Sequence, residues 1–402
     1  MRILQVFNRY IERGGEEASV ERISDTLSER HTVFHCYFDS RQLRGGPGIL
    51  GSATNAFAMV WNPQSARRLQ SHVQATKPDI ILLHNIFPVG TASLLAAVGG
   101  LGIPAISYIH NFRPYSVNGY LWANDKIEPA GLRQNFLPEV LAGSWQDSRL
   151  KTGVYASILS GMHFFRLFDN ISVWIAISNF MRDKFIEAGI PHDKIITIRH
   201  SCDPLSNPPL FEDLGYFLFL GRLITAKGIR VLLEAWQLLE ARFGSETPKL
   251  VIGGDGPMAD AVTKACRQSK YIQYVGQVEG EQKNELIQGC RAMLAPSLWW
   301  EGLGLVTYEA YDRSKPMLAA GSGGLLETVC HGETGFLHEP GKASQLADHV
   351  MEIEKNPALR VHMGSMGRKW LVKNTQRSQW LDAFDQALLL ARQEHISAVG
   401  CR

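Results

Sequence analysis

The sequence predicts an α/β protein built from two Rossmann-like halves, and three observations carry that reading. Between Ala292 and Val329 the chain twice runs from a short apolar strand through a glycine-rich loop into a helix. The first pass is Ala292–Ala295, then Gly302 and Gly304, then Leu305–Tyr311; the second is Pro316–Ala320, then Gly321, Gly323 and Gly324, then a helix carrying Glu327. Strands apolar on both faces belong in buried parallel sheets. The amino terminus opens the same way, with Arg2–Phe7, then Gly14 and Gly15, then a helix from Glu16 or Glu17 whose residues Val20, Ile23 and Leu27 form one apolar stripe. Finally, 402 residues suffice for two domains of ordinary size, each burying its own core.

Composition narrows the class. With 45% hydrophobic and 20% charged residues the chain reads as a soluble globular protein. A net charge of +2, with no dense Lys/Arg run, argues against a nucleic-acid partner and leaves contact with an anionic membrane surface open. Six cysteines (Cys36, Cys202, Cys266, Cys290, Cys330, Cys401) lie far apart with no C-x2-C pair, so they read as reduced thiols and not as a zinc site. No D-x-D motif occurs, and neither a metal nor a cofactor is expected. The first residues form a strand and not a signal peptide, which places the expected protein in the cytoplasm, with the inner face of the membrane within reach. Residues Ile80–Phe112 lack Asp, Glu, Lys and Arg, yet His84, Asn85, Pro88, Pro104, His110 and several glycines interrupt them, so they read as strand, helix and strand in a buried sheet.

Taken in order, Thr32–Tyr37, Asp79–His84 and Ala105–His110 are strands, the last two ending in histidine at the edge where open α/β sheets bind ligands. A lone histidine is more often structural. Residues Arg113–Phe168 form an irregular, aromatic-rich passage of the kind that carries specificity, and Thr152–Phe168 reads as a helix that faces either the core or a membrane, with the core favoured because few basic residues flank it. Val173–Ala176, a helix from Ser178 to Gly189 and Ile195–Arg199 complete the first half, and Pro204–Leu214 is the expected hinge. The second half opens with strand Tyr216–Leu220, then Gly221, Arg222, Lys227 and Gly228. Two cations at the end of a strand suit a diphosphate, because arginine offers a planar fork and lysine a compact charge. Leu250–Pro257 and Tyr274–Val278 are two further strand ends, Gly335–Leu337 another strand, and Gln379–Arg392 a closing helix with Leu381, Phe384, Leu388 and Leu389 as its packed face.

The segment EGLGLVTYE places seven residues between Glu301 and Glu309 and is followed by GSGGLLETV; with GR-x4-KG at Gly221–Gly228, it resembles the donor site of the retaining glycosyltransferases of family 4. The resemblance implies the GT-B fold: two Rossmann-like domains with a cleft between them and a C-terminal helix returning to the first. The expected domains are 1–205 on the acceptor side, 206–375 on the donor side, and 376–402 as the returning helix. YIHNFRPYSVNG resembles the H-N-x-R segment of a subgroup, which implies that His110 lies beside the donor sugar, and Gly14 and Gly15 resemble the family's GGxE entry. The resemblance makes Glu301, His110, Arg222 and Lys227 catalytic, and assigns donor binding to Gly14, Gly15, Gly221, Arg222, Lys227, Gly302, Leu303, Gly304, Leu305, Glu309 and Val275. The implied partners are a nucleotide-diphosphate sugar, UDP first and GDP-mannose second, and a glycan or lipid-linked acceptor. The implied setting is surface polysaccharide assembly. The chain departs from the family where cysteines are usual in 113–168, and at His200, Ser201, Cys202 and Asp203, which therefore receive no role. A nucleotide-sugar epimerase or hydrolase, and a non-catalytic binding subunit, remain as alternatives.

Overall fold

The computed structural model describes residues 1–9, 15–40, 61–206 and 212–400, the side chains of 398–400 excepted. Gly14 and part of the expected hinge therefore lie outside the described residues. The chain divides into two compact units: residues 1–124, 128–200 and 377–402 form one, and 125–127 with 201–376 the other.

The first unit holds a six-stranded sheet of β1 (Arg2–Arg9), β2 (Thr32–Asp39), β3 (Ile80–Leu83), β4 (Ala105–Ile109), β5 (Val173–Ala176) and β6 (Ile195–Thr197). Its order is β2-β1-β3-β4-β5-β6 and every pairing is parallel. Strands β3 and β5 are buried along their whole length, which is why they read as uninterrupted apolar runs. Helix Arg377–Gly400 belongs to this same unit, seats Trp380, Phe384, Leu388 and Ala391 in its core, and ties Asp382 and Asp385 to Arg30 at 2.7 and 2.9 Å. Leu389, expected on the packed face, is exposed: the buried stripe steps from 380 through 384, 387, 388 and 391, and residue 389 falls on the opposite side.

The second unit repeats the plan with β7 (Tyr216–Leu220), β8 (Lys249–Gly253), β9 (Ile272–Tyr274), β10 (Cys290–Ala295), β11 (Met317–Ala320) and β12 (Gly335–His338), in the order β9-β8-β7-β10-β11-β12, again all parallel. Strand β9 closes at Tyr274, the first residue of the expected strand end Tyr274–Val278, and Gly276 turns the chain there in the left-handed region. Its core packs Phe217, Leu232, Trp236, Leu250 and Leu294 among others. The strand order reverses between β7 and β10, so the loops that leave these two strands emerge side by side.

Helix Arg149–Phe164 covers most of the segment read as an amphipathic helix. It buries Tyr155, Ile158, Leu159 and Met162 against its own unit and leaves Phe164 and Phe165 81% and 71% exposed at its end. Among the described residues no helix is long and apolar enough to cross a membrane.

Candidate active site

The loops after β7 and β10 are joined by their own backbone. The amides of Leu298 and Trp299 both reach the carbonyl of Ala226, at 2.8 and 3.3 Å, and this holds the turn Thr225–Lys227 against the loop that carries Glu301. Gly228 makes the approach feasible: it is left-handed, and a Cβ there would collide with the Pro296 carbonyl. A second loop, after β11, closes from the other side. The Gly324 amide donates to the Glu301 carbonyl at 2.7 Å, the Ser322 hydroxyl donates to the Trp299 carbonyl at 2.6 Å, and side chains at Gly323 or Gly324 would overlap the backbone of Glu301–Leu303. The last two glycines of GSGG, Gly323 and Gly324, thus serve first to let one loop lie on another.

This scaffold converges three donors on one carboxylate oxygen. Glu301 Oε1 accepts from Lys227 Nζ at 2.7 Å, Ser297 Oγ at 2.5 Å and Trp299 Nε1 at 2.8 Å. Burial alone would push this carboxyl up, but the Lys227 ammonium and the hydrogen bonds prevail and hold it below its ordinary value, so it is a carboxylate. The buried Trp299 ring also lies under both cations, with Lys227 Nζ 5.1 Å and the exposed Arg222 guanidinium 5.4 Å from its centroid. Ser297 and Trp299 escaped the sequence reading. An indole beside a glycine loop gives no signal in sequence, since the two cations it meets lie in the segment after another strand.

The remaining expected residues of this unit fall close by in the fold but not in the same cluster. Gly302, Leu303 and Gly304 lead into helix Leu305–Asp312, which starts at left-handed Gly304 with no side chain capping it. First-turn amides left without a cap favour an anion. Glu309, one turn further along, is partly exposed and paired with Lys283 of helix Gly280–Gly289 at 2.6 Å, a partner the sequence reading missed. Gly221 ends β7, its amide bonded to the Gly253 carbonyl, and Val275 follows β9 with its amide on the Ile252 carbonyl at 3.0 Å.

In the first unit Gly15 is the exposed first residue of helix Gly15–Leu27, and a Cβ added there meets none of the described residues within 4 Å. His110, directly after β4, is not alone. Its Nε2 lies 2.9 Å from Nδ1 of His84, and its ring stacks on His200 (5.5 Å between centroids) and on Tyr108 (5.2 Å). Burial pushes the His110 ring down to about 3, and burial together with the neighbouring histidine holds His84 and His200 well below the ordinary value, so all three rings are neutral. His84 and His200 had been given no site role. The three histidines follow three separate strands, β3, β4 and β6, which only the sheet order brings together. Asn111 donates to Glu16 at 3.0 Å, fixing the loop after β4 to the first helix. Among the described residues no group of three or more His, Cys, Asp or Glu side chains could hold a metal ion.

With two all-parallel α/β units, one presenting a paired lysine and carboxylate with an arginine at its strand-order reversal, this chain has the GT-B fold. Its two halves match two family models in turn: residues 13–204 the one described as Glycosyltransferase Family 4, and residues 206–370 the one described as Glycosyl transferases group 1. The chain is 27% identical over 209 residues to O-antigen chain mannosyltransferase B of Escherichia coli, covering 48% of this chain and 54% of that one. It is 27% identical over 237 residues to a GDP-mannose-dependent alpha-(1-6)-phosphatidylinositol monomannoside mannosyltransferase of Mycobacterium tuberculosis, covering 54% and 60%. The chain thus spans about half the length of the curated relatives it matches. In three dimensions it resembles HepE of Anabaena, solved in complex with UDP, with a TM-score of 0.66 at 17% identity over 96% of this chain and 99% of that one, a likeness of fold.

Proposed function

We propose that this enzyme is a retaining hexosyltransferase that moves a sugar from a nucleotide diphosphate, UDP first and GDP-mannose second, to a glycan or lipid-linked acceptor in surface polysaccharide synthesis. The observation that carries the reading is the Lys227–Glu301–Trp299–Arg222 cluster at the strand-order reversal. When the C1–O bond breaks, charge builds on the departing diphosphate. Lys227, Arg222 and the uncapped amides at Leu305 would stabilise it. All three donors to Glu301 use Oε1, which leaves Oε2 to accept from a sugar hydroxyl or to face the cationic ring as it forms. Glu309 would hold the ribose diol, Val275 and its neighbours the base, and His110 the donor sugar.

In this reading residues 1–205 serve the acceptor, 206–375 hold the donor, 376–402 return to the first domain, and the enzyme works in the cytoplasm. The names of the two mannosyltransferase relatives support GDP-mannose, and the UDP bound to HepE supports UDP. The exposed Phe164 and Phe165 supply an apolar edge for peripheral contact with a membrane carrying the acceptor.

A thermal-shift panel of UDP, GDP and their sugars tests the donor site. A ligand at 100 times its dissociation constant stabilises by about 2.7 kcal/mol, a readable shift. No shift with any nucleotide would overturn the reading, and free sugar or an epimer formed without acceptor would move it to a hydrolase or epimerase.

A further inference from the structure

We infer that Gln5 and His84 form a hydrogen-bonded relay that locks His110 in the tautomer protonated on Nδ1, so that it meets its ligand as a neutral N–H donor and not as a base. The ligand half of this inference rests on the reading of His110 as a donor-sugar residue; the relay itself rests on geometry alone.

Gln5 lies on β1, wholly buried, in register with Leu82 of β3. Its Nε2 is 3.1 Å from the Val20 carbonyl and 2.8 Å from Nε2 of His84, while Oε1 accepts the Tyr37 hydroxyl at 3.1 Å. A carbonyl oxygen carries no proton, so the amide nitrogen must be the end that faces Val20, and this fixes which way the Gln5 amide points. The same nitrogen has a second proton and no lone pair to share, so it donates to His84 Nε2. A neutral His84 that accepts on Nε2 carries its proton on Nδ1. That proton is directed at His110 Nε2, 2.9 Å away, which must therefore accept. A neutral His110 that accepts on Nε2 carries its own proton on Nδ1.

The direction of the chain is thus set at Gln5 and passed through two imidazoles. Protonating His84 would aim its Nε2–H at the Gln5 amide protons, and protonating His110 would aim its Nε2–H at the His84 Nδ1–H, so the relay opposes the charged form of either ring. The stacked faces of Tyr108 and His200 hold the His110 plane. The donor it presents suits an oxygen lone pair, such as that of a sugar hydroxyl. Gln5 and His84 are positioning residues in this scheme, acting through His110.

The test uses the full chain labelled with 15N-histidine, with long-range proton–nitrogen spectra of the imidazoles assigned through His84→Asn and His110→Asn. Expected are pyrrole-type Nδ1 and pyridine-type Nε2 for both residues; a protonated Nε2 on His110 overturns the relay. Gln5→Glu replaces the donor with an acceptor and should reverse both tautomers. A folded Gln5→Glu variant with unchanged imidazole spectra also overturns it, and the parent spectra decide the matter if that variant does not fold. Gln5→Glu should lower kcat about tenfold with little change in the donor KM, and His110→Asn, which keeps an N–H near the Nδ1 position, should retain more transfer than His110→Leu. Expected tautomers with unchanged transfer in all three variants would remove the ligand half and leave the donor-site reading in the other unit untouched.

Discussion

Lys227 Nζ and Glu301 Oε1 lie 2.7 Å apart although 74 residues separate them in the chain, and the same oxygen also receives Ser297 and Trp299. A lysine so engaged is held in one place, and all three of these bonds fall on one oxygen of the carboxylate.

The two carboxylates should separate in their effects. Glu309→Gln should weaken binding of the bare nucleotide by roughly 1.5–3 kcal/mol, the worth of hydrogen bonds to a charged group. Glu301→Gln should spare nucleotide affinity and lower the transfer rate, as for an interaction made mainly in the transition state. Calorimetry on UDP and GDP beside transfer assays measures both, and the opposite pattern reverses the two roles.

Trp299 should matter twice. Trp299→Phe keeps a ring under Arg222 and Lys227 but loses the donor to Glu301, whereas Trp299→Ala loses both. Nucleotide affinity should fall by about tenfold in Trp299→Ala, with the ring contacts worth about 1 kcal/mol or more, and less in Trp299→Phe. Equal affinities in the two variants would take the ring out of donor binding.

Gly15→Val tests the first unit. Among the described residues nothing opposes a side chain there, so the melting temperature and nucleotide affinity should stay as in the parent. Transfer should slow if the bound sugar comes close to this helix start. An unchanged rate removes Gly15 from the site.

Acid should weaken the protein through its neutral histidines. Burial, then His110 and Arg22, hold the His200 ring well below 6.5, so below that pH the unfolded chain takes up a proton that the folded form refuses. Stability therefore falls as pH drops below 6.5, by about 1.4 kcal/mol per pH unit for each such histidine. His200→Phe, which keeps a ring in the stack, should remove about one proton from the slope of unfolding free energy measured between pH 7 and 5. An unchanged slope would mean that His200 is charged in the folded protein.

Transfer should survive EDTA. In the proposed reading two cations and helix amides do for the diphosphate what a metal would otherwise do, so full loss with EDTA and recovery with magnesium would contradict the role proposed for Arg222 and Lys227.

The sequence by itself determined the parallel α/β character, the glycine loops, and the identities of Arg222, Lys227, Glu301 and Glu309. These are local properties: a strand buried on both faces is apolar throughout, and a loop residue whose Cβ would overlap another backbone must be glycine. Only the tertiary structure decided who meets whom. Because β10 pairs with β7 and not with β9, the loop bearing Glu301 meets the turn bearing Lys227, and the indole of Trp299 enters between them. In the first unit β1, β3 and β4 lie next to one another, so Gln5, His84 and His110 line up although each alone is an ordinary polar residue on an apolar strand or just past its end. Strand order is a property of how whole layers pack, which no window of sequence contains.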